Sequence, residues 1–305
     1  MTKCPNCFSD QNHLLGLFQD TEYFTTKKEF KYYQCKKCEI VYISHFLENK
    51  LDLIYPKNYY SNFEKKSFIY FFKKKIESFS FKNIIKKNNL KNISVLDVGG
   101  GNGALLDSLK LLDIKYNDMD VVDMNESQKK ICISKGYNFF HTRIEDFNIK
   151  KKYNLIFLVN IIEHVSDPKK IFTKIKYLLD DNGVIFIKTP NTKNFFFKKF
   201  KKNLWGGYHC PRHWILFNRE NLENLLNLCG LKIQSFNYTQ GGPQLRTLVC
   251  NYLIKKKLIR ENKYLTQNFF YRFSLIFFVF VEIIRSLFFK TDQMILIVKK
   301  NSKNI

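Results

Sequence analysis

The chain has 305 residues, room for more than one module, and carries 51 Lys and Arg against 27 Asp and Glu, a net charge of +24. That excess suits nucleic acid, an anionic membrane surface or an acidic substrate, but only seven of the 51 cations are Arg, and nucleic-acid readers lean on Arg for bidentate contacts. A solvated Lys-rich face accounts for the charge without nucleic acid, and the N-terminal MTKCPNC has no apolar segment of a secretory signal, so the expected compartment is the reducing cytoplasm.

Residues 1–45 hold CPNC and CKKC: Cys4, Cys7, Cys35 and Cys38. In a reducing compartment paired cysteines are expected as metal ligands rather than disulfides. Four thiolates suit a tetrahedral, structural Zn2+ with no open position. Between the pairs, KEFKYYQC, followed by IVYI, reads as short strands, so 1–45 is expected to be a zinc-ribbon-like module. Cys132, Cys210, Cys229 and Cys250 have no paired spacing and are expected to be buried. Residues 46–92 form a connecting segment, Tyr-rich and then helical through FIYFFKKKIESFSFKNIIKK.

From Ser94 strands and helices alternate. SVLDVG is a strand and GALLDSLKLL a helix; DVVDM ends a second strand before the helix ESQKKICISKG. NLIFLVN and GVIFIKTP are continuous apolar strands, as expected when both sheet faces are covered. The helix between them has Asp167 placed as N-cap and Pro168 in the first turn. This rhythm argues a doubly wound α/β domain over 93–300. After Pro190 it breaks into an aromatic, basic segment, residues 191–215. The helix NRENLENLLNLCG follows, then the strand LKIQSFNYT, an apolar helical insertion (243–290) and the strand QMILIVKK. The longest apolar run of the insertion, Leu275–Val281, is far short of the roughly 20 residues of a spanning helix. Residues 265–290 could instead lie in a membrane interface at its inner face, or pack on the sheet or a neighbouring subunit.

VLDVGGGNGALL offers a loop where backbone meets ligand. Gly99, Gly101 and Ala104 fit G-x-G-x-x-G/A, with Asp123 placed 22 residues after Gly101 as a ribose-binding acid. Asp97, Gly99, Gly101 and Gly103 equally fit D-x-G-x-G-x-G. On these residues alone a dinucleotide and S-adenosyl-L-methionine compete. VVDMNES, TRIEDFN, NIIEHVSDP, DNGVIFIKTPN and the closing MILIVKK break the tie. Together with the glycine loop they resemble the class I S-adenosylmethionine-dependent methyltransferases, in the branch that includes the ubiquinone-biosynthesis O-methyltransferases. The resemblance covers roughly residues 90–300 and implies a seven-stranded, Rossmann-like sheet.

The resemblance also implies site residues. Asp97, Gly99, Gly101 and Gly103 would receive the amino-acid end of the cofactor, Asp123 its ribose and Met124 its adenine. Glu145, beside Ile144 and Asp146, would meet the adenine edge, although Arg143 stands where the family often has Asp; Asn160 closes the cofactor set. Glu163, His164 and His213 are the catalytic candidates, with His209 less supported. Either a neutral His takes the acceptor's hydroxyl proton, or the three bind a divalent cation that acidifies that hydroxyl. Asn160 replaces the first Glu of the E-x-x-E-H that some relatives use for magnesium. The segment YHCPRHWILF resembles methyltransferases that have an N-terminal cysteine cluster and tailor cell-surface glycans and other small metabolites. Residues 191–215, with Trp205, Tyr208, Arg212, His213 and Trp214, would then cover the acceptor, Arg212 meeting a phosphate or carboxylate or holding the loop. The expected acceptor is a small molecule or glycan; an RNA methyltransferase, a non-catalytic cofactor-binding protein and an NAD-linked enzyme are the rivals.

Overall fold

The computed structural model describes residues 3–56, 68–199, 204–239, 242–260 and 265–301. Residues 57–67 of the connecting segment, 200–203 of the expected cover segment and 261–264 of the insertion lie outside the described residues. Three strands come first, β1 (Asn12–Phe18), β2 (Phe30–Cys35) and β3 (Val41–Ile43), then α1 (Leu51–Ile54) and the long α2 (Phe68–Lys87). The alternating region follows as β4 (Ile93–Val98), α3 (Ala104–Leu109), β5 (Tyr116–Asp123), α4 (Lys129–Ser134), β6 (Asn138–His141), β7 (Tyr153–Val159), α5 (Pro168–Leu178) and β8 (Leu179–Pro190). Beyond it lie α6 (Phe195–Lys199), β9 (Ile215–Leu216), α7 (Arg219–Leu228), β10 (Leu231–Thr239), α8 (Gly242–Lys255), α9 (Phe269–Phe273), α10 (Leu275–Ser286) and β11 (Gln293–Lys300).

The expected seven-stranded sheet is present, in the order β10-β11-β8-β7-β4-β5-β6. Strands β8, β7, β4, β5 and β6 pair in parallel, and β11 runs antiparallel between β8 and β10. Every residue of β4 is buried, as in a strand covered on both faces. Helix α5 starts as its sequence suggests: the Asp167 side chain accepts from Lys170 N–H at 2.9 Å and Pro168 stands in the first turn. Its apolar face, Ile171, Phe172, Ile175 and Leu178, is buried against the sheet. The opposite sheet face takes Phe81 and Ile85 of α2 and Leu106 and Leu109 of α3. At about 1.5–3 kcal/mol for each large side chain buried, these two faces dominate the folding energy.

A second, antiparallel sheet has the order β1-β2-β3-β9. Its edge strand β9 comes from beyond β8: Val41 pairs with Leu216 and Tyr42 with Ile215. One apolar cluster therefore runs from Cys4, Phe18 and Tyr32 through Trp205, Tyr208 and Trp214 to Ile187 and Leu296. No helix among the described residues is long and apolar enough to cross a membrane.

Candidate active site

The carboxyl edge of the parallel strands carries the expected residues. Asp97 is buried in β4 and Asp123 ends β5. Between them Gly99, Gly101 and Gly103 adopt φ of +64°, +53° and +73°, a left-handed backbone that L side chains resist. The reasons for glycine differ. A Cβ on Gly99 would overlap the Ile161 side chain, and one on Gly103 would stand 2.7 Å from the Tyr137 ring. A Cβ on Gly101 meets nothing within 4 Å, so Gly101 is the glycine that opens onto space. Its N–H donates to Asp123 Oδ2 at 2.9 Å, and Asn125 N–H donates to Oδ1 at 2.7 Å. Burial still raises the Asp123 carboxyl above its ordinary value against those two backbone donors.

Asp97 is less comfortable. Its Oδ2 is buried without a hydrogen-bond partner among the described residues. Burial first, and then the charge of Asp123, push its carboxyl well above the usual carboxylate range. A buried carboxyl with an unpartnered oxygen in the loop of an open glycine fits a cationic ligand, such as the ammonium of S-adenosylmethionine, that would hold it ionised. Met124 stands half exposed after Asp123, its carbonyl accepting from His141 Nε2 at 2.8 Å. Asn160 is exposed at the end of β7, next to the Ile161 that touches Gly99. Glu145 is set apart: it lines a cleft with Asp167, Lys170 and Tyr177 that includes neither Asp97 nor Asp123. The loop after β6 buries Ile144 and turns Glu145 outward.

Glu163, His164 and His213 do come together. One ligand atom from each lies within 4.8 Å of the others. Glu163 is fully buried; Thr189 Oγ1 donates to its Oε2 at 2.9 Å, and Oε1 has no hydrogen-bond partner among the described residues. His213 Nδ1–H donates to the Gly207 carbonyl at 2.7 Å, which leaves Nε2, 3.9 Å from Glu163 Oε1, as an acceptor. His164 Nδ1–H donates to the Arg212 carbonyl at 3.0 Å, with the Tyr55 hydroxyl 2.9 Å away. Burial holds both imidazoles neutral, His164 at about 3 and His213 well below its ordinary value, and lifts Glu163 to about 8. Thr189, Tyr55 and the Gly207 carbonyl were not singled out from sequence. Thr189 lies in the KTPN that ends β8, the one local signal that could have found it.

Arg212 answers a different need from the expected acceptor anion. It is fully buried and clamps Asp20, NH2 to Oδ2 at 2.7 Å and NH1 to Oδ1 at 3.2 Å, under the Tyr23 ring. Burial alone would raise Asp20, but the Arg212 hydrogen bonds and charge hold it at about 2. Trp205, Tyr208 and Trp214 are likewise buried rather than lining an acceptor cavity. Trp205 Nε1–H donates to Asp292, Tyr208 packs on Phe18 and Tyr32, and Trp214 packs on Phe46. They form the core between the two sheets, and His213 alone of that set reaches the site. The join is also hydrogen-bonded: Tyr32 OH donates to the His213 carbonyl, Ile43 N–H to that of Trp214, and Trp214 N–H to that of Glu163. His209 turns to Glu22, its Nδ1 3.0 Å from Oε1, with its ring 5.0 Å from that of His213.

The four cysteines converge as a separate centre. Cys4 Sγ lies 3.6 Å from Cys38 Sγ and Cys7 Sγ 3.5 Å from Cys35 Sγ, and all four lie within 4.8 Å of one another. These separations approach the ~3.8 Å edge of a ZnS4 tetrahedron with Zn–S bonds of about 2.3 Å and exceed the ~2.05 Å of a disulfide. The residues present therefore fit a structural zinc.

The family model of a methyltransferase domain matches residues 65–235, more than half of the chain. A ubiquinone biosynthesis O-methyltransferase of Pelagibacter ubique is 32% identical over 114 residues, 33% of this chain and 44% of that protein. A malonyl-[acyl-carrier protein] O-methyltransferase of Ilyobacter polytropus is 30% identical over 112 residues, 35% of this chain and 41% of that protein. The chain thus spans less than half the length of these curated relatives. Among solved structures, the plantazolicin methyltransferase BpumL, in complex with a pentazolic desmethylPZN analog and SAH, is 17% identical with a TM-score of 0.50, covering 83% of this chain and 92% of that one.

Proposed function

The chain belongs to the methyltransferase domain family, and from that premise we propose that it transfers a methyl group from S-adenosyl-L-methionine to a hydroxyl oxygen of a small-molecule or glycan acceptor, as in the tailoring of a cell-surface polysaccharide or secondary metabolite. The observation that carries the reading is the convergence of Glu163, His164 and His213 at the same sheet edge as Asp97, Gly101 and Asp123. When bound, the cofactor supplies an electrophilic methyl group. Asp97 would meet its ammonium and Asp123 its ribose hydroxyls, and Gly101 would allow close backbone approach. His213 receives the acceptor's hydroxyl proton on Nε2, because the Gly207 carbonyl fixes the other proton on Nδ1. His164, held by the Arg212 carbonyl, orients the acceptor.

One observation favours a second reading at the same residues. Glu163 Oε1 and His213 Nε2 are both acceptors once Glu163 ionises and lie 3.9 Å apart, and a ring nitrogen of His164 lies within 4.8 Å of ligand atoms of both residues. A divalent cation would satisfy all three, with both imidazoles already oriented by carbonyls. Chelation separates the readings: activity lost to a chelator and restored by magnesium or manganese assigns a cation, and unchanged activity assigns the imidazole base. The chemistry itself is tested by supplying cofactor labelled on the methyl group to cell extract. Label in a small-molecule or glycan fraction resistant to nuclease and protease supports the proposal; nuclease-sensitive label would replace it with RNA methylation. Metal analysis should give one zinc per chain, lost on Cys4→Ser.

A further inference from the structure

The insertion between β10 and β11 is built inside out. Along α9 and α10 the exposed apolar positions are Phe269, Phe270, Phe273, Ile276, Phe277, Phe280, Ile283 and Ile284, and Leu287 follows α10. Within α10, Ile276, Phe277, Phe280, Ile283 and Ile284 recur every three or four residues and so form one stripe. Phe277 and Phe280 keep 62% and 60% of their surface in the open. The charged residues of α10 turn the other way. Glu282 is fully buried and paired with Arg285, whose guanidinium covers the Phe196 ring and approaches Asp292 at 3.9 Å. A helix surrounded by water places these faces oppositely, and a continuous apolar patch of this kind marks an interaction surface.

Charge identifies the occupant. Among the described residues of 242–291, Glu282 is the one acid, and it is buried. Lys255, Lys256 and Lys257 at the end of α8, a helix that packs on α10, are exposed, as are Arg260 and Lys290. A second copy would bring two chains of net +24 together, whereas an anionic bilayer complements both the cations and the apolar stripe. We propose that α9 and α10 dock the enzyme on an anionic phospholipid surface, with the Phe277 and Phe280 face in the interface and the lysines on the headgroups.

The docking element reaches the site through α8, which packs on α10. Gly206 has no room for a Cβ against Thr247 and Gln244 of α8, and the carbonyl of Gly207 holds His213. Docking would therefore set the site at the bilayer surface, where an acceptor with a lipid anchor resides.

The proposal is independent of methyl transfer and is tested by flotation of the full chain with vesicles. Wild type should float with phosphatidylglycerol-containing vesicles at low salt and fail to float with pure phosphatidylcholine. F277D/F280D should reduce flotation by about tenfold or more, and K255E/K256E/K257E should do the same on anionic vesicles alone. Each variant should bind S-adenosylhomocysteine as wild type does, a control for folding. Wild type that does not float at low salt, or F277D/F280D that floats equally, overturns the proposal. A wild-type dimer in sedimentation that F277D/F280D dissolves would assign the face to a second copy instead.

Discussion

Glu163 Oε1 and His213 Nε2 lie 3.9 Å apart with no hydrogen bond between them, each fixed from behind, the carboxyl group by Thr189 and the imidazole by the Gly207 carbonyl. Both reactive atoms are thus held in position and left for something else. His213→Ala should lower kcat by about 10²–10⁴-fold and leave cofactor affinity unchanged in calorimetry; a fall in affinity with kcat unchanged would assign His213 to binding. Because burial keeps His213 well below its ordinary 6.5, kcat should not decline as pH falls through 6.5. Glu163 behaves oppositely. Its folded value of about 8 stands above the ordinary 4.5, so the folded state holds the extra proton between them and stability falls as pH rises through that window. Glu163→Gln should flatten this part of the curve in thermal melts.

Asp97 carries the same physics into cofactor binding. Its carboxyl is raised in the free protein, and a cationic ligand would lower it, so binding should release a proton and weaken as pH falls. Calorimetry in buffers of different ionisation enthalpy reads that proton directly. Asp97→Asn should cut affinity by roughly 10–100-fold, the loss of a charge-assisted hydrogen bond. It should also raise the apo Tm by a few degrees, about 2–4 °C per kcal/mol regained. An affinity unchanged by the substitution would remove Asp97 from the site.

Gly101 and Gly103 share a backbone conformation and differ in what surrounds them, which separates binding from folding. Gly103→Ala drives a methyl into the Tyr137 ring and should lower Tm steeply. Gly101→Ala adds a methyl facing open space. It should cost about 1 kcal/mol of stability from its positive φ and much more in cofactor affinity. Melts and titrations on both variants check the contrast, and equal behaviour would contradict it.

Arg212 and Asp20 join the N-terminal sheet to the His213 loop. Arg212→Ala leaves Asp20 buried without its cation and should destabilise by about 3–5 kcal/mol. Asp20 is depressed to about 2 from 3.8, so the pair's contribution is complete above 3.8 and is lost as pH falls through 2. Acid melts of wild type and Arg212→Ala should converge across that range. Surviving variant should also lose kcat more than cofactor affinity, because the displaced residue is His213.

The sequence makes local order legible. The strand–helix rhythm from Ser94 to Pro190 follows from periodicity, covered apolar strands and a capped helix at Asp167, and the glycine loop carries its own chemistry. The cysteine pairs are legible from spacing. What stays hidden depends on residues far apart in the chain. Nothing near Ile215 announces that it extends a sheet begun at Asn12, and Arg212 finds Asp20 across 192 positions. The aromatics of 205–214 look alike in sequence whether they face an acceptor or a core; burial decides for the core. The insertion reads only as apolar, and its reversed faces emerge once Glu282 and Arg285 are seen to point inward.

The central claim is that the loop from Asp97 to Asp123 binds S-adenosylmethionine. Its most direct measurement is calorimetric titration of S-adenosylhomocysteine into wild type and Asp123→Ala, with NADH as the competing ligand. Wild type should show one site per chain, Asp123→Ala should lose binding, and NADH should give no heat. Absence of binding to wild type, equal binding by the variant, or NADH binding in place of the nucleoside would contradict it.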